Sequence, residues 1–181
     1  MSNKTLTALP LTAAAYAPYG DVIQARTDAK DITGANQGTA EKYHWTASIV
    51  NNHPNNGGKS NMCVFHCRPT KELPFKCKIL ERHPYSSQAF IPMNAGNTRG
   101  YLVIVALNGE DDKPDMSTLK AFICSNVQGV NYAAGIWHHP MIALEAETDF
   151  ACLVHESGIN QDDCQVVSVE EWIVDVPGYT A

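Results

Sequence analysis

At 181 residues the chain is long enough for one well-buried domain and short for two, so a single domain over residues 1–181 is expected. Hydrophobic residues make up 44% and charged residues 18%, which excludes a largely disordered chain. A formal net charge of −6 without a Lys/Arg cluster excludes nucleic acid as a partner.

The chain opens on MSNKTLTALPLTAAAYAPYG, which mixes Thr, Ala and Pro around one lysine. It has neither the apolar run of a secretion signal nor a stretch that spans a bilayer, so a cytoplasmic protein without membrane contact is expected. One broken helical turn fits this segment. NNHPNNGGKSN at 51–61 reads as a loop, because His-Pro and Gly-Gly both interrupt regular structure. Strand-like runs follow in MCVFHC, FKCKILERH, QAFIPM and YLVIVAL. The acidic NGEDDKPDM at 108–116 reads as a solvated turn, and LKAFICS, MIALEA, FACLVHE and CQVVSV are further strands. VSVEEWIV near the end suggests a second helical turn. Many short strands with frequent turn signals indicate an all-β barrel. The six cysteines form no CxxC pair and read as reduced thiols filling strand interiors.

Two stretches carry the chemistry. In LERHPYSSQAFIP, strand alternation puts Glu81 and His83 on one side and Arg82 on the other, and Gln88 shares a face with Phe90 in the next strand. In GVNYAAGIWHHP, Gly135 reads as the turn that sends WHHPMIAL back across the barrel, so that His138 faces Glu81 and His83. His139 then faces away, toward a rim or an interface. Of the other histidines, His66 is a weaker candidate for the cavity, His44 reads as polar punctuation, and His53 and His155 read as solvated.

Glu81-x-His83-x4-Gln88 resembles the first cupin metal-binding motif, and Ala133-Ala-Gly135-x-x-His138 resembles the second with Ala in place of Pro. LERHPYSSQAFIPM, the block from YLVIVAL to HHPMIAL, and DFACLVHESGINQDDCQ are together similar to the ureidoglycolate lyase family. AYAPYGDVIQ and NQGTAEKYH extend the likeness over nearly the whole chain, and the ESGINQDDCQ ending resembles the fungal branch. The resemblance implies a cupin-type double-stranded β-helix barrel with short flanking helices and a homodimer. It also implies cleavage of (S)-ureidoglycolate to glyoxylate and urea in allantoin and purine breakdown. Ala133, His66 and Lys120 stand where members of the family often carry His, Arg and Arg, which puts roles at those three positions in doubt.

That reaction collapses a hemiaminal, so it needs a base, an acid and a holder for the carboxylate, but no covalent nucleophile. His83 or His138 is the expected base, with Glu81 tuning it. Gln88, Asn131, Tyr132 and His139 are expected substrate contacts, and Lys120, Arg68 and Arg82 are candidates to clamp the carboxylate. Glu81, His83, Gln88 and His138 are also a possible divalent-metal set, expected to be optional because a Gln amide is a weak ligand. A metal-dependent cupin oxygenase or isomerase is one alternative, and a cupin that only binds a small acid is another. Trp172 and Tyr179 are expected at the dimer interface.

Overall fold

Apolar runs rich in β-branched and aromatic residues, punctuated by Gly, Pro and Asn, fold as strands. The computed structural model describes residues 4–26, 28–93 and 100–180. In chain order its elements are β1 (Lys4–Thr7), β2 (Leu9–Pro10), α1 (Ala13–Tyr16), β3 (Gly20–Ile23), β4 (Ile32–Ala35), β5 (Ala40–Tyr43), β6 (Lys59–Cys67) and β7 (Phe75–Arg82). There follow β8 (Gln88–Pro92), β9 (Tyr101–Asn108), β10 (Pro114–Cys124), β11 (Gly129–Tyr132), β12 (Trp137–His138), β13 (Ile142–Ala143), β14 (Thr148–Glu156), α2 (Asn160–Asp163) and β15 (Gln165–Asp175).

The large sheet runs β1-β15-β7-β12-β9-β10-β2, with β13 also on β9, and the smaller one runs β3-β11-β8-β14-β6. Residues 4–10 serve both ends of the large sheet. β1 lies parallel to β15, with Lys4 opposite Trp172, and β2 lies parallel to β10, with Leu9 opposite Phe122. The sheet is thereby drawn into a nearly closed barrel. The all-β cupin-like class expected from the sequence is what folds, and α1 and α2 are its short flanking helices.

β9 is buried on both faces, which its unbroken YLVIVA run requires. Tyr101, Val103 and Val105 enter a core shared with the small sheet, beside Phe90, Val130 and Phe150. Leu102, Ile104 and Ala106 enter a second core within the curl of the large sheet, beside Leu80, Trp137 and Val174. Each such aliphatic side chain contributes about 1.5–3 kcal/mol on burial.

Some expectations are corrected. VSVEEWIV is not helical: it belongs to β15, whose pairing with β7 shifts between Ser168 and Trp172 and breaks the strict alternation of a strand. Its acids meet lysines across the sheet, Glu171 with Lys78 at 2.9 Å and Glu170 with Lys4 at 2.7 Å. MIALEA shrinks to β13, and Lys59 to Asn61 belong to β6 rather than to the preceding loop. Trp172 and Tyr179 pack against the second core instead of forming an apolar surface.

Candidate functional site

β12 places His138 opposite Glu81 of β7 in direct register. His83 follows β7 immediately, and its carbonyl accepts the Gly135 N–H at 2.8 Å. Gly135 takes a φ of +79°, a left-handed conformation that glycine adopts without steric cost, so the turn read from the sequence is present. The strand end and the turn together bring both histidines to one end of the core between the sheets.

Each imidazole is held at one nitrogen. His138 Nδ1 lies 3.0 Å from the Ile136 carbonyl, and His83 Nδ1 lies 2.5 Å from the Asp163 carbonyl. A carbonyl only accepts, so both rings carry a proton on Nδ1 and present Nε2 inward. Both Nε2 atoms and Gln88 Oε1 are buried without a hydrogen-bond partner among the described residues. Gln88 sits opposite Tyr132 in register, and the Tyr132 ring stacks on His138 with centroids 3.9 Å apart. His83 stacks on the other histidine at 5.6 Å. His138 Nε2 is 3.6 Å from Glu81 Oε1, an ion-pair distance longer than a hydrogen bond.

Burial opposes ionisation of Glu81, but contact with His138 and the nearby His83 and His139 outweighs it and holds the carboxyl below its usual range. Burial, reinforced by His138, pushes the His83 imidazole down despite the Asp163 carbonyl and Glu81. At neutral pH the site therefore holds a carboxylate beside an uncharged His83.

The other expected contacts separate. Lys120 shares a cross-strand row with the site, Glu81 to His138 to Val105 to Lys120. It is exposed two strands from His138, about 10 Å away along the sheet. Asn131 is not brought to the histidines. It alternates away from Tyr132, is fully buried, and donates to Asp21 and the Ser48 carbonyl at 2.9 and 3.1 Å. His139 also turns away, its ring edge-on to Phe75 and Nδ1 on the Pro140 carbonyl.

Arg82 points away from Glu81 as expected, yet it is buried rather than on the surface. It forms a two-pronged pair with Asp112, donates to Asn108 and Gln165, and lies over the Trp137 ring. That occupies its donors and removes it as a clamp. Arg68 is exposed beyond β6. His66 faces outward to Asp149 at 2.6 Å, because its neighbour Cys67 takes the inward position. His53, expected in solvent, is buried against Asn51 and Asp163. His155 is half-buried beside Ser86, and His44 meets Thr33.

Glu81, His83 and His138 offer ligand atoms that all lie within 4.8 Å of one another. Two imidazole nitrogens steadied by carbonyls at their far sides, with one carboxylate, are donors that suit a divalent transition metal. The residues fit such an ion. Sequence reading did not find the Asp163 carbonyl, since a backbone acceptor leaves no residue-type signal.

A nearly closed β-barrel with a carboxylate and two oriented imidazoles at one end of its core is a cupin-like protein. The ureidoglycolate lyase family model matches residues 3–175, and the chain belongs to that family. It is 37% identical to a ureidoglycolate lyase of Schizosaccharomyces pombe over 94% of both chains. It is 46% identical to that of Burkholderia mallei (strain NCTC 10229) over 81% of this chain and 80% of the other. With that of Escherichia coli O1:K1 / APEC it is 40% identical, over 92% and 95%.

Proposed function

We propose that this protein is a ureidoglycolate lyase, converting (S)-ureidoglycolate to glyoxylate and urea in allantoin breakdown. The observation that carries the reading is the convergence of two imidazole Nε2 atoms, neither hydrogen-bonded among the described residues, beside Glu81, in a chain of this family. Uncharged His83 takes the proton of the substrate hydroxyl at Nε2. The oxygen's electrons form the aldehyde, the carbon–nitrogen bond breaks, and the nitrogen leaves as urea after receiving the second proton of His138, which enters this step as the imidazolium with Nε2–H toward Glu81 and leaves it neutral. Glu81 holds His138 in place, and one proton passing between the histidines resets the pair. Gln88 Oε1 accepts from a substrate N–H, Tyr132 packs the His138 ring, and Lys120 reaches along its row to the carboxylate.

Glu81, His83 and His138 also suit a divalent cation, with Gln88 as a weaker neutral neighbour. When bound, the ion would polarise the substrate's hydroxyl and carboxylate oxygens. Because such an ion would take the same Nε2 lone pairs that the proton transfers use, the histidines act as base and acid in the metal-free site, and the ion is proposed as optional.

The homodimer is proposed on a face other than the C-terminal one. The outer side of the small sheet exposes Met62 (66%), Val64 (59%) and Ile91 (46%), with Ile49 and Trp45 beside them. A second copy covers this face, because the outer edge of β6 also has no strand neighbour among the described residues. No helix among the described residues is long and apolar enough to cross a membrane, and a cytoplasmic location is part of the proposal.

The test is release of urea and glyoxylate from racemic ureidoglycolate, with and without chelator, beside His138→Ala. Equal amounts of both products without ammonia are expected, and loss of the acid lowers kcat by about 10²–10⁴. Activity that survives chelation supports the histidines as acid and base, whereas loss of all activity would make a bound ion part of the chemistry. Ammonia release would show an amidohydrolase instead, and binding without turnover would make the protein a small-acid-binding cupin.

A further inference from the structure

Two stretches of sequence stay outside this reaction, the 51–58 loop and the 156–163 segment. They meet on the side of His83 that faces away from the site. The His83 Nδ1–H ends on the carbonyl of Asp163, the last residue of α2. A single four-residue turn has no stability of its own, so the direction of that carbonyl depends on what holds the residue.

The Asp163 side chain is held from several directions. Oδ1 accepts from the Ser157 N–H at 2.6 Å and the Ser157 hydroxyl at 2.8 Å, and Oδ2 accepts from the Gly158 N–H at 2.7 Å. His53 completes the set from the distant loop, with Nε2 3.2 Å from Asp163 Oδ1. Its own Nδ1 meets Asn51 Oδ1 at 3.0 Å, and the Asn51 amide donates onward to the Gly58 carbonyl. The His53 side chain is almost fully enclosed, and its ring fills the space where a Cβ at Gly58 would come within 2.4 Å of Nδ1. A buried imidazole with oxygens at both nitrogens, in a loop of asparagines and glycines, is a built feature.

We propose that His53 and Asp163 are a positioning pair for His83, fixing its tautomer and ring angle through the Asp163 carbonyl. The inference rests on the reading of His83 as a site residue. Outer partners of this kind set the direction of the lone pair that the inner imidazole presents. Neither residue touches the substrate, so the pair governs turnover more than binding.

His53→Phe keeps a ring beside Tyr85 and removes both nitrogens, whereas His53→Gln keeps one donor toward Asp163. We expect the Phe variant to lower kcat about ten- to a hundredfold with KM little changed, and the Gln variant to recover most of the loss. In long-range 15N–1H spectra, His83 should change from a single Nδ1–H tautomer in the native protein to a mixture in His53→Phe. Circular dichroism of both variants checks the fold, and the Gln variant serves if Phe is not accommodated. Native kcat in a folded Phe variant, or a lowered kcat with the His83 tautomer intact, would overturn the proposal. If the native protein does not cleave ureidoglycolate, the lyase reading falls by itself, and the tautomer measurement still decides the positioning role.

Discussion

His83 and Glu81 reach opposite charge states from one shared burial. Loss of water disfavours charge on both, but Glu81 has imidazoles around it and remains ionised, whereas His83 lies beside another imidazole and stays neutral. The acid limb of kcat/KM should therefore lie below the ordinary imidazole range, about 6.5. Glu81→Gln removes a negative charge that favours the protonated ring, so it should move that limb lower still. A pH–rate profile of both proteins checks the direction, and a limb that moves up would contradict the assignment of His83 as base. Lys120, exposed on the same row as His138, should act through binding: Lys120→Ala raises KM more than it lowers kcat, and Lys120→Arg restores it. Steady-state kinetics on the two variants separates this from a role in the chemistry.

At the scale of elements, the turn at Gly135 and the double-faced strand β9 hold the site in register. A side chain at Gly135 would have room, its nearest neighbour being the Pro84 carbonyl at 4.0 Å, so the cost of Gly135→Ala lies in the left-handed backbone alone. About 1–2 kcal/mol is expected, measurable as a lower midpoint in thermal or urea unfolding. Ile104→Ala on β9 should cost more, about 2–5 kcal/mol, because it opens a cavity in the second core. The strands that place the site were legible because FKCKILERH, QAFIPM and YLVIVAL carry dense apolar content with sharp breaks. Glu81, His83 and His138 could be read from alternation and one glycine turn. β1 and β2 were not legible, since a short Lys-Thr-Leu-Thr run and a Leu-Pro step gain their order only from partners far along the chain. Asn131 was excluded by alternation itself, since it lies on the face opposite Tyr132, whereas Lys120 shows the limit of period-two reasoning: it gives the face, but not which stretch of that face lies near the centre. His53 was misplaced because composition marks its loop as polar, while its burial is set by Asp163, distant in sequence.

For the whole molecule, the two sheets differ in what they leave open. The large sheet spends its ends on residues 4–10, whereas the small sheet ends at the nine-residue β6 with an apolar outer face. Val64→Lys, an exposed change far from the histidines, should yield a folded monomer by light scattering where the native protein gives a dimer. An unchanged mass would place the contact elsewhere. The join made by residues 4–10 also bears on the order in which the molecule assembles. β1 finds its partner only when Trp172 to Asp175 have been synthesised, so it waits for a strand that lies beyond every other strand of the barrel in the chain. Such distant pairing makes folding slow and leaves the growing chain with unsatisfied strands. The Asp163 carbonyl arrives just before that closing strand. A nascent chain would thus hold both histidines before it could orient them, and competence for chemistry would wait until Asp163 had emerged and docked.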